Sequence, residues 1–303
     1  MRREENTDSQ VMNRNRFARQ ILMFGEEGQK KIETQKVGIV GLGGVGSQVA
    51  QALALPGVAR FGLIDDDRID ETNLNRMAGA FPDDVGRLKV EVARDHILKI
   101  NPKAEVLTFP QNLRTREAVE FLTGCSAIFG CVDHDGPRLV LTELAAAYSV
   151  TLIDIATEIF PEAKGQPFDF GGRVVIARPG DYCLLCADQL DIELAKEELE
   201  TPEIRAARRK HGYGLGSDVP APAVFALNGS VVNPAVMEFL LMVTGIREPE
   251  RHLTYKGMRA VMTNRTDGPK RDCFTCGCLC GQREKANIWR YLLPEQIVES
   301  LAA

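Results

Sequence analysis

Short strand-like segments alternate with stretches of helical spacing from Val37 to Ile155. Val37-Gly38-Ile39-Val40 and Phe61-Gly62-Leu63-Ile64 are apolar runs of strand length, and Glu105 to Phe109, Ser126 to Val132 and Val150 to Ile155 continue the series. Helical patterns fill the gaps at about 45–55, 86–100, 115–123 and 137–148, the second closed by Asn101-Pro102, because the residue before a proline avoids the helical region. Upstream, Arg14 to Lys36 has helical spacing, with Phe17, Ile21, Leu22 and Ile32 as its apolar positions, while the polar residues 1–13 read as a disordered lead. Strands alternating with helices predict an α/β, Rossmann-like, mostly parallel sheet covered on both faces.

The pattern changes after residue 156. Gly171-Gly172-Arg173-Val174-Val175-Ile176 reads as a hairpin strand, which predicts an antiparallel C-terminal extension of the sheet. Residues 191–211 are strongly charged and interrupted by the helix-start pair Thr201-Pro202, and 223–244 has the pattern of a buried helix. The expected organisation is therefore a lead of residues 1–13, one catalytic domain over 14–282 with a charged crossover loop at about 187–221, and a tail over 283–303.

Composition narrows the partners. The 303 residues carry a formal charge of −5, and 44% are apolar. An acidic chain lacks the excess of cations that neutralises phosphate backbones, so nucleic acid is not expected as a main partner. No apolar run follows the charged start Met1-Arg2-Arg3-Glu4-Glu5, and no segment reads as a membrane span, so a cytoplasmic protein is expected by default.

Gly41-Leu42-Gly43-Gly44-Val45-Gly46 follows a strand and opens a helix, the setting in which glycines let backbone approach a phosphate and a helix N-terminus offers free N–H groups. Asp65, ending the second strand, stands where an acid would hold a ribose hydroxyl. These features alone fit an NAD-dependent oxidoreductase equally well. Further along, Asn73, Arg76, Lys89 and Asp133 add two cations and an acid that hydride transfer does not use. Attack of a carboxylate on an α-phosphate uses them all, since cations must offset the triphosphate and an acid must hold Mg2+.

Taken in order, Arg16-Phe17-Ala18-Arg19-Gln20-Ile21, the glycine turn, Asp65, Asn73-Leu74-Asn75-Arg76, Lys89 and Cys131-Val132-Asp133 resemble the E1-like/MoeB/ThiF/HesA superfamily of adenylating enzymes from about Arg16 to Gln282. The resemblance implies that ATP is the cofactor, with Asp65 on the ribose, Asn73, Arg76 and Lys89 on the phosphates and Asp133 on Mg2+. It implies a homodimer in which Arg19 reaches the partner's site. His134 departs from the family, which has Asn after the metal-binding Asp. Read singly, Arg138 is a structural ion-pair residue, Asp66 and Asp67 are turn residues, and Asp70 and Glu71 are solvated.

The cysteines divide into groups. Cys183-Leu184-Leu185-Cys186 and Cys273-Phe274-Thr275-Cys276 are two C-x-x-C knuckles, and paired knuckles supply the four thiolates of a structural Zn2+ site. The resemblance implies the same zinc; a redox pair is the lesser reading, since neither motif sits in a thioredoxin-like context. Cys278 and Cys280 exceed what one zinc takes, and read as spare ligands ahead of a mobile thiol carrying activated cargo. The crossover stretch contains no cysteine, so adenylation is better supported than thioester formation. The basic run Arg205 to His211 reads as a solvated face ahead of a docking site. Tyr213-Gly214-Leu215-Gly216 reads as a flexible stretch over a threaded tail. His96, His211 and His252 take no role, and the apolar tail residues Ile288 to Leu293, Ile297 and Val298 are expected to pack on the body.

The expected activity is ATP-dependent adenylation of the C-terminal glycine carboxylate of a ubiquitin-like protein, with release of pyrophosphate and hand-over of the cargo to a carrier thiol such as an E2-like protein. The alternative within the class is activation of a sulfur-carrier protein in cofactor biosynthesis, with a sulfur donor as partner. Outside the class stand the NAD-dependent oxidoreductase and a silent adaptor, which would have lost some of these residues.

Overall fold

The computed structural model describes residues 2–160, 168–201, 203–206 and 222–293, with side chains from Arg16 onward. Helix α1 (Arg2–Glu33) leads into β1 (Lys36–Val40), α2 (Gly44–Ala54), β2 (Arg60–Ile64), α3 (Lys89–Ile100), β3 (Glu105–Phe109), α4 (Arg116–Thr123), β4 (Ala127–Gly130), α5 (Asp135–Tyr148) and β5 (Thr151–Phe160). Then follow β6 (Asp169–Ala177), α6 (Ile192–Leu199), α7 (Phe225–Thr244), β7 (His252–Lys256) and β8 (Val261–Asn264). The eight strands form one sheet in the order β3-β2-β1-β4-β5-β6-β7-β8. Pairing is parallel from β3 to β5 and antiparallel from β5 to β8.

Alternation along the strands explains the two cores. Val37, Ile39, Phe61, Leu63, Ile153 and Val174 face a layer made by α2, α3 and α7, while Ile128, Leu152 and Val175 face α4, α5 and the cysteine knuckles. Phe129 meets Phe239 of α7 edge to face at 5.4 Å, a geometry that adds about 0.5–1.5 kcal/mol to area burial.

Three expectations change here. Residues 2–13, expected as a disordered lead, have helical backbone continuous with α1; no glycine or proline interrupts the chain before Gly25, whose φ of +72° kinks the helix. Leu22, taken as an apolar anchor of that helix, is exposed. Helix α7 does have the length and mean hydropathy (1.4) of a membrane span, but it packs on β5, β6, α1 and α2 as a core helix. Most of the basic crossover run, Tyr213 to Gly216, and Ile297 and Val298 lie outside the described residues.

The near part of the tail does pack on the body. Ile288 and Leu292 are buried against α5, Arg290 pairs with Glu143, and Tyr291 donates to Glu143 at 2.9 Å. Arg114 joins this segment to the crossover region, donating to the carbonyls of Tyr291 (2.6 Å) and Leu199 (3.1 Å).

Candidate nucleotide site, zinc centre and groove

The strand order reverses between β1 and β4, and open α/β sheets bind ligands in the crevice at the carboxyl ends of the strands on either side of such a point. The glycine turn occupies this crevice. Gly41 has φ of +85°, and a Cβ there would lie 2.6 Å from the Cys131 carbonyl oxygen. A Cβ on Gly46 would fall 1.8 Å from the Gly41 oxygen, so the turn closes only with glycine at both places. Gly43 is different: a Cβ there meets nothing within 4 Å. Open space thus lies at the N-terminus of α2, whose cap offers no side-chain hydrogen bond, and its first N–H groups remain for an anion.

Acids and cations surround this opening. Asp65 accepts from the N–H of Leu42 (2.5 Å) and of Asp67 (2.9 Å). Burial raises its pKa against the opposing pull of Lys89 and these N–H groups. Lys89, at the start of α3, is 12% exposed and pairs with Asp67 at 2.6 Å. Asp67 is therefore the lysine's counter-ion as well as a turn residue. The Asn73 side chain accepts from the N–H of Asp70 at 3.2 Å while Asp70 accepts from Thr72, so the two cap the turn that carries Arg76. Arg76 donates to the Thr72 carbonyl at 2.5 Å, and its side chain lies beside Gly44, where Asn228 of α7 also approaches.

Asp133 follows β4. Its carboxylate is 90% exposed and contacts only His134 Nε2, at 3.7 Å, among the described residues. An exposed carboxylate just past a strand end suits a hard cation that keeps most of its waters. His134 meets Glu198 of α6 at 3.3 Å, and Glu198 accepts from the Gly136 N–H at 2.6 Å. The residue that departs from the family pattern is thus held by the crossover helix. The Glu198 hydrogen bond, ahead of the burial that opposes it, raises the pKa of His134. Arg138 is a structural ion-pair residue, bound to Asp135 at 3.0 Å and facing Asp154 at 3.5 Å.

Arg19 is not brought to this site within its own chain. It is exposed, and its neighbours Arg16 and Gln20 bond the carbonyls of Ile100, the last residue of α3, and Pro56, just past α2, at the end of the strands opposite the crevice.

The sulfurs of Cys183, Cys186, Cys273 and Cys276 lie within 4.8 Å of one another. The separations of 3.8 Å (Cys183 to Cys186), 3.4 Å (Cys183 to Cys273) and 3.7 Å (Cys186 to Cys276) match the roughly 3.8 Å edge of a tetrahedron of Zn–S bonds near 2.3 Å. The Lys270 N–H points at Cys186 Sγ at 3.4 Å, a second contact of the kind that supports a bound thiolate. Hydrogen bonding from Cys276 above all, against burial, lowers the Cys183 thiol to about 5. Cys278 is exposed, and neither it nor Cys280 belongs to the cluster.

On the face of β5 to β8 that α5 leaves uncovered lies a groove of about 520 Å³, lined among others by Ala156, Glu158, Arg173, His252, Thr254 and Arg265. Register explains it: Ala156, Arg173, Thr254 and Thr263 stand opposite one another along one row. Strands β7 and β8 are too short for their sequence pattern to reveal this groove, and His252 has no partner motif in the sequence. His252 is 1% exposed, its Nδ1 has no hydrogen-bond partner, and burial, with the charges of Arg265 and Arg173, lowers its pKa to about 4. The unfolded chain takes up this proton below about pH 6.5 and the folded chain only near pH 4. Stability should therefore fall by up to about 3 kcal/mol as pH drops through that window. Acid unfolding of a His252→Leu variant, followed by circular dichroism, should show a shallower loss between pH 6.5 and 4; an unchanged slope would remove His252 as its source.

A doubly wound sheet with a glycine-turn nucleotide crevice, a four-thiolate centre and an antiparallel groove defines a class of nucleotide-binding α/β proteins. The chain matches the ThiF family over residues 17–278 and belongs to it. Among curated proteins it is similar to the adenylyltransferase and sulfurtransferase UBA4 of Saccharomyces cerevisiae, 33% identical over 141 residues, covering 46% of this chain and 32% of that protein. The adenylyltransferase and sulfurtransferase MOCS3 of Drosophila yakuba is 35% identical over 130 residues, 42% of this chain and 29% of that protein. The chain thus spans about a third of the length of these relatives. Among solved structures, Escherichia coli MccB with ATP superposes with a TM-score of 0.68 at 20% identity, over 87% of this chain and 74% of that one. PaaA gives 0.59 at 21%, over 86% and 75%. These two likenesses concern the fold.

Proposed function

We propose that this protein adenylates the C-terminal glycine carboxylate of a ubiquitin-like protein with ATP, as a cytoplasmic homodimer that passes the activated cargo to a thiol or a sulfur donor. The observation that carries this reading is the open cradle at Gly43 and the N-terminus of α2, ringed by Asp65, Arg76, Lys89 and Asp133. Asp65 would accept from a ribose hydroxyl, while Asn73, Arg76 and Lys89 would line the phosphates. Asp133 would hold Mg2+, which when bound offsets phosphate charge. A cargo oxygen bonds to the α-phosphorus as the bond to the bridging oxygen breaks and pyrophosphate leaves. The nucleophile is already ionised at neutral pH, so no general base is required. Catalysis then rests on orientation and on charge stabilisation. The groove over β5 to β8 is the path by which a tail would reach the crevice, and Arg19 would act in the partner's site.

The curated relatives favour sulfur-carrier activation as the second reading, because they are named adenylyltransferase and sulfurtransferase. The two differ after the adenylate. Exchange of labelled pyrophosphate into ATP should appear when ubiquitin-like proteins ending in Gly-Gly are added, and should be absent without them. Mass spectrometry of the products then separates a thioester on an added carrier from a cargo thiocarboxylate formed with a sulfur donor. Exchange that needs no protein cargo would sink the proposal.

A further inference from the structure

Asp154 lies on β5 between the nucleotide crevice and the groove, and neither function described so far uses it. Its side chain is 1% exposed, and it stands between two arginines. On the groove side its Oδ1 accepts from Arg173, whose other guanidinium nitrogen donates to the Gln189 carbonyl at 3.4 Å, where the crossover begins. On the crevice side its Oδ2 faces Arg138 Nε at 3.5 Å, and these two buried atoms have no hydrogen-bond partner among the described residues. Arg138 in turn brackets Asp133: Nη2 donates to the Val132 carbonyl at 2.9 Å and Nη1 to Asp135 Oδ1 at 3.0 Å. The second oxygen of Asp135 accepts from the Asp191 N–H at 2.9 Å, at the cap of α6.

Resting on the nucleotide-site reading above, we propose that Asp154 is a positioning residue that sets the Asp133 turn through Arg138 and ties that turn to the groove through Arg173. The physical basis is that removing one partner of a buried ion pair leaves the other charge uncompensated, and Arg138 would keep Asp135 and the Val132 carbonyl but lose its contact with the sheet. Of the described groups bonded to or facing the Arg138 guanidinium, Asp154 alone sits on the sheet; the Val132 carbonyl belongs to the turn being held, and Asp135 to the first turn of α5, as Arg138 itself does. Groups that orient a ligating carboxylate are worth roughly 10- to 100-fold in metal affinity.

The test is calorimetric titration of ATP into the full-length protein, with and without MgCl2, for the wild type, Asp154→Asn and the double variant Asp154→Asn with Arg173→Gln. The wild type should bind ATP more tightly with Mg2+ present. Asp154→Asn should retain Mg2+-independent binding while losing roughly 10- to 100-fold of the affinity that Mg2+ adds. The double variant removes the charge that Asp154→Asn leaves uncompensated beside the groove. It should recover thermal stability but not the Mg2+-dependent gain. A double variant that recovers both would show Asp154 to be a neutralising partner of Arg173 only, and either variant keeping the full Mg2+-dependent gain would overturn the proposal. A wild type that binds no ATP would instead overturn the nucleotide-site reading itself.

Discussion

Asp133→Ala is expected to lower cargo-dependent pyrophosphate exchange by roughly 10²- to 10³-fold while leaving the fold intact. The two halves of this expectation have separate grounds. The carboxylate is 90% exposed and among the described residues contacts only His134, at 3.7 Å, so its removal strands no buried partner there. Stability should move by no more than about 0.5 kcal/mol, the ordinary range for surface changes. On the proposed reading its worth would lie in holding Mg2+, whose charge would offset that of the triphosphate during displacement. Asp133→Asn should fall nearly as far, since an amide keeps the shape but not the charge. ATP binding measured without Mg2+ should be close to normal in both variants. Exchange that survived either substitution would mean that another group holds the metal.

Removal of a zinc ligand should have the largest effect on stability. The purified protein should carry one equivalent of zinc, and Cys186→Ser or Cys276→Ser should abolish it and cost of the order of 4–5 kcal/mol or more. The knuckles join the turn after β6 to the segment after β8, and Cys183, Cys186 and Cys273 are buried within the core that α5 covers. Without metal, four sulfurs within 4.8 Å of one another would lack an ion to reconcile their charge and packing. Cys278→Ser and Cys280→Ser serve as controls that should keep the metal, because their sulfurs lie outside the cluster. Elemental analysis with thermal unfolding decides this; zinc lost from the controls, or kept by the ligand variants, would make the ligand set wrong.

The parallel half of the fold was legible because each of its strands is a local apolar run, and helical spacing separates them. Cysteine spacing revealed the metal centre for the same reason: each knuckle is a local motif. Features made by distant pairing were not legible. Strand β5 runs on to Phe160, five residues past its apolar run, because β6 pairs with its far half; Glu158 stands opposite Gly171 there. Strand β7 has exposed or half-buried residues at Thr254, Tyr255 and Lys256, so little periodicity marks it. Within the site, Asp65, Asn73, Arg76, Lys89 and Asp133 lie around the crevice, whereas Asp67, Asp154, Arg173, Asn228 and Glu198 went unnoticed as partners. Each acts through a residue remote in sequence, and an acid that salt-bridges looks no different in sequence from one that is solvated.

The pairing of Lys89 with Asp67 bears on how the crevice would discriminate among the small anions of a cell. Lys89 is nearly enclosed while its partner carboxylate is 67% exposed, so the acid is the member that can swing away. A ligand entering the crevice therefore does not meet a bare ammonium; it must displace a resident counter-ion. Inorganic phosphate or sulfate gains little from that exchange, since one dianion replaces one carboxylate. On the proposed reading a triphosphate would reach Lys89, Arg76 and the N-terminus of α2 together and would recover the lost pairing several times over. The carboxylate would then act as an internal competitor, a selectivity threshold that several phosphates together could clear and one could not.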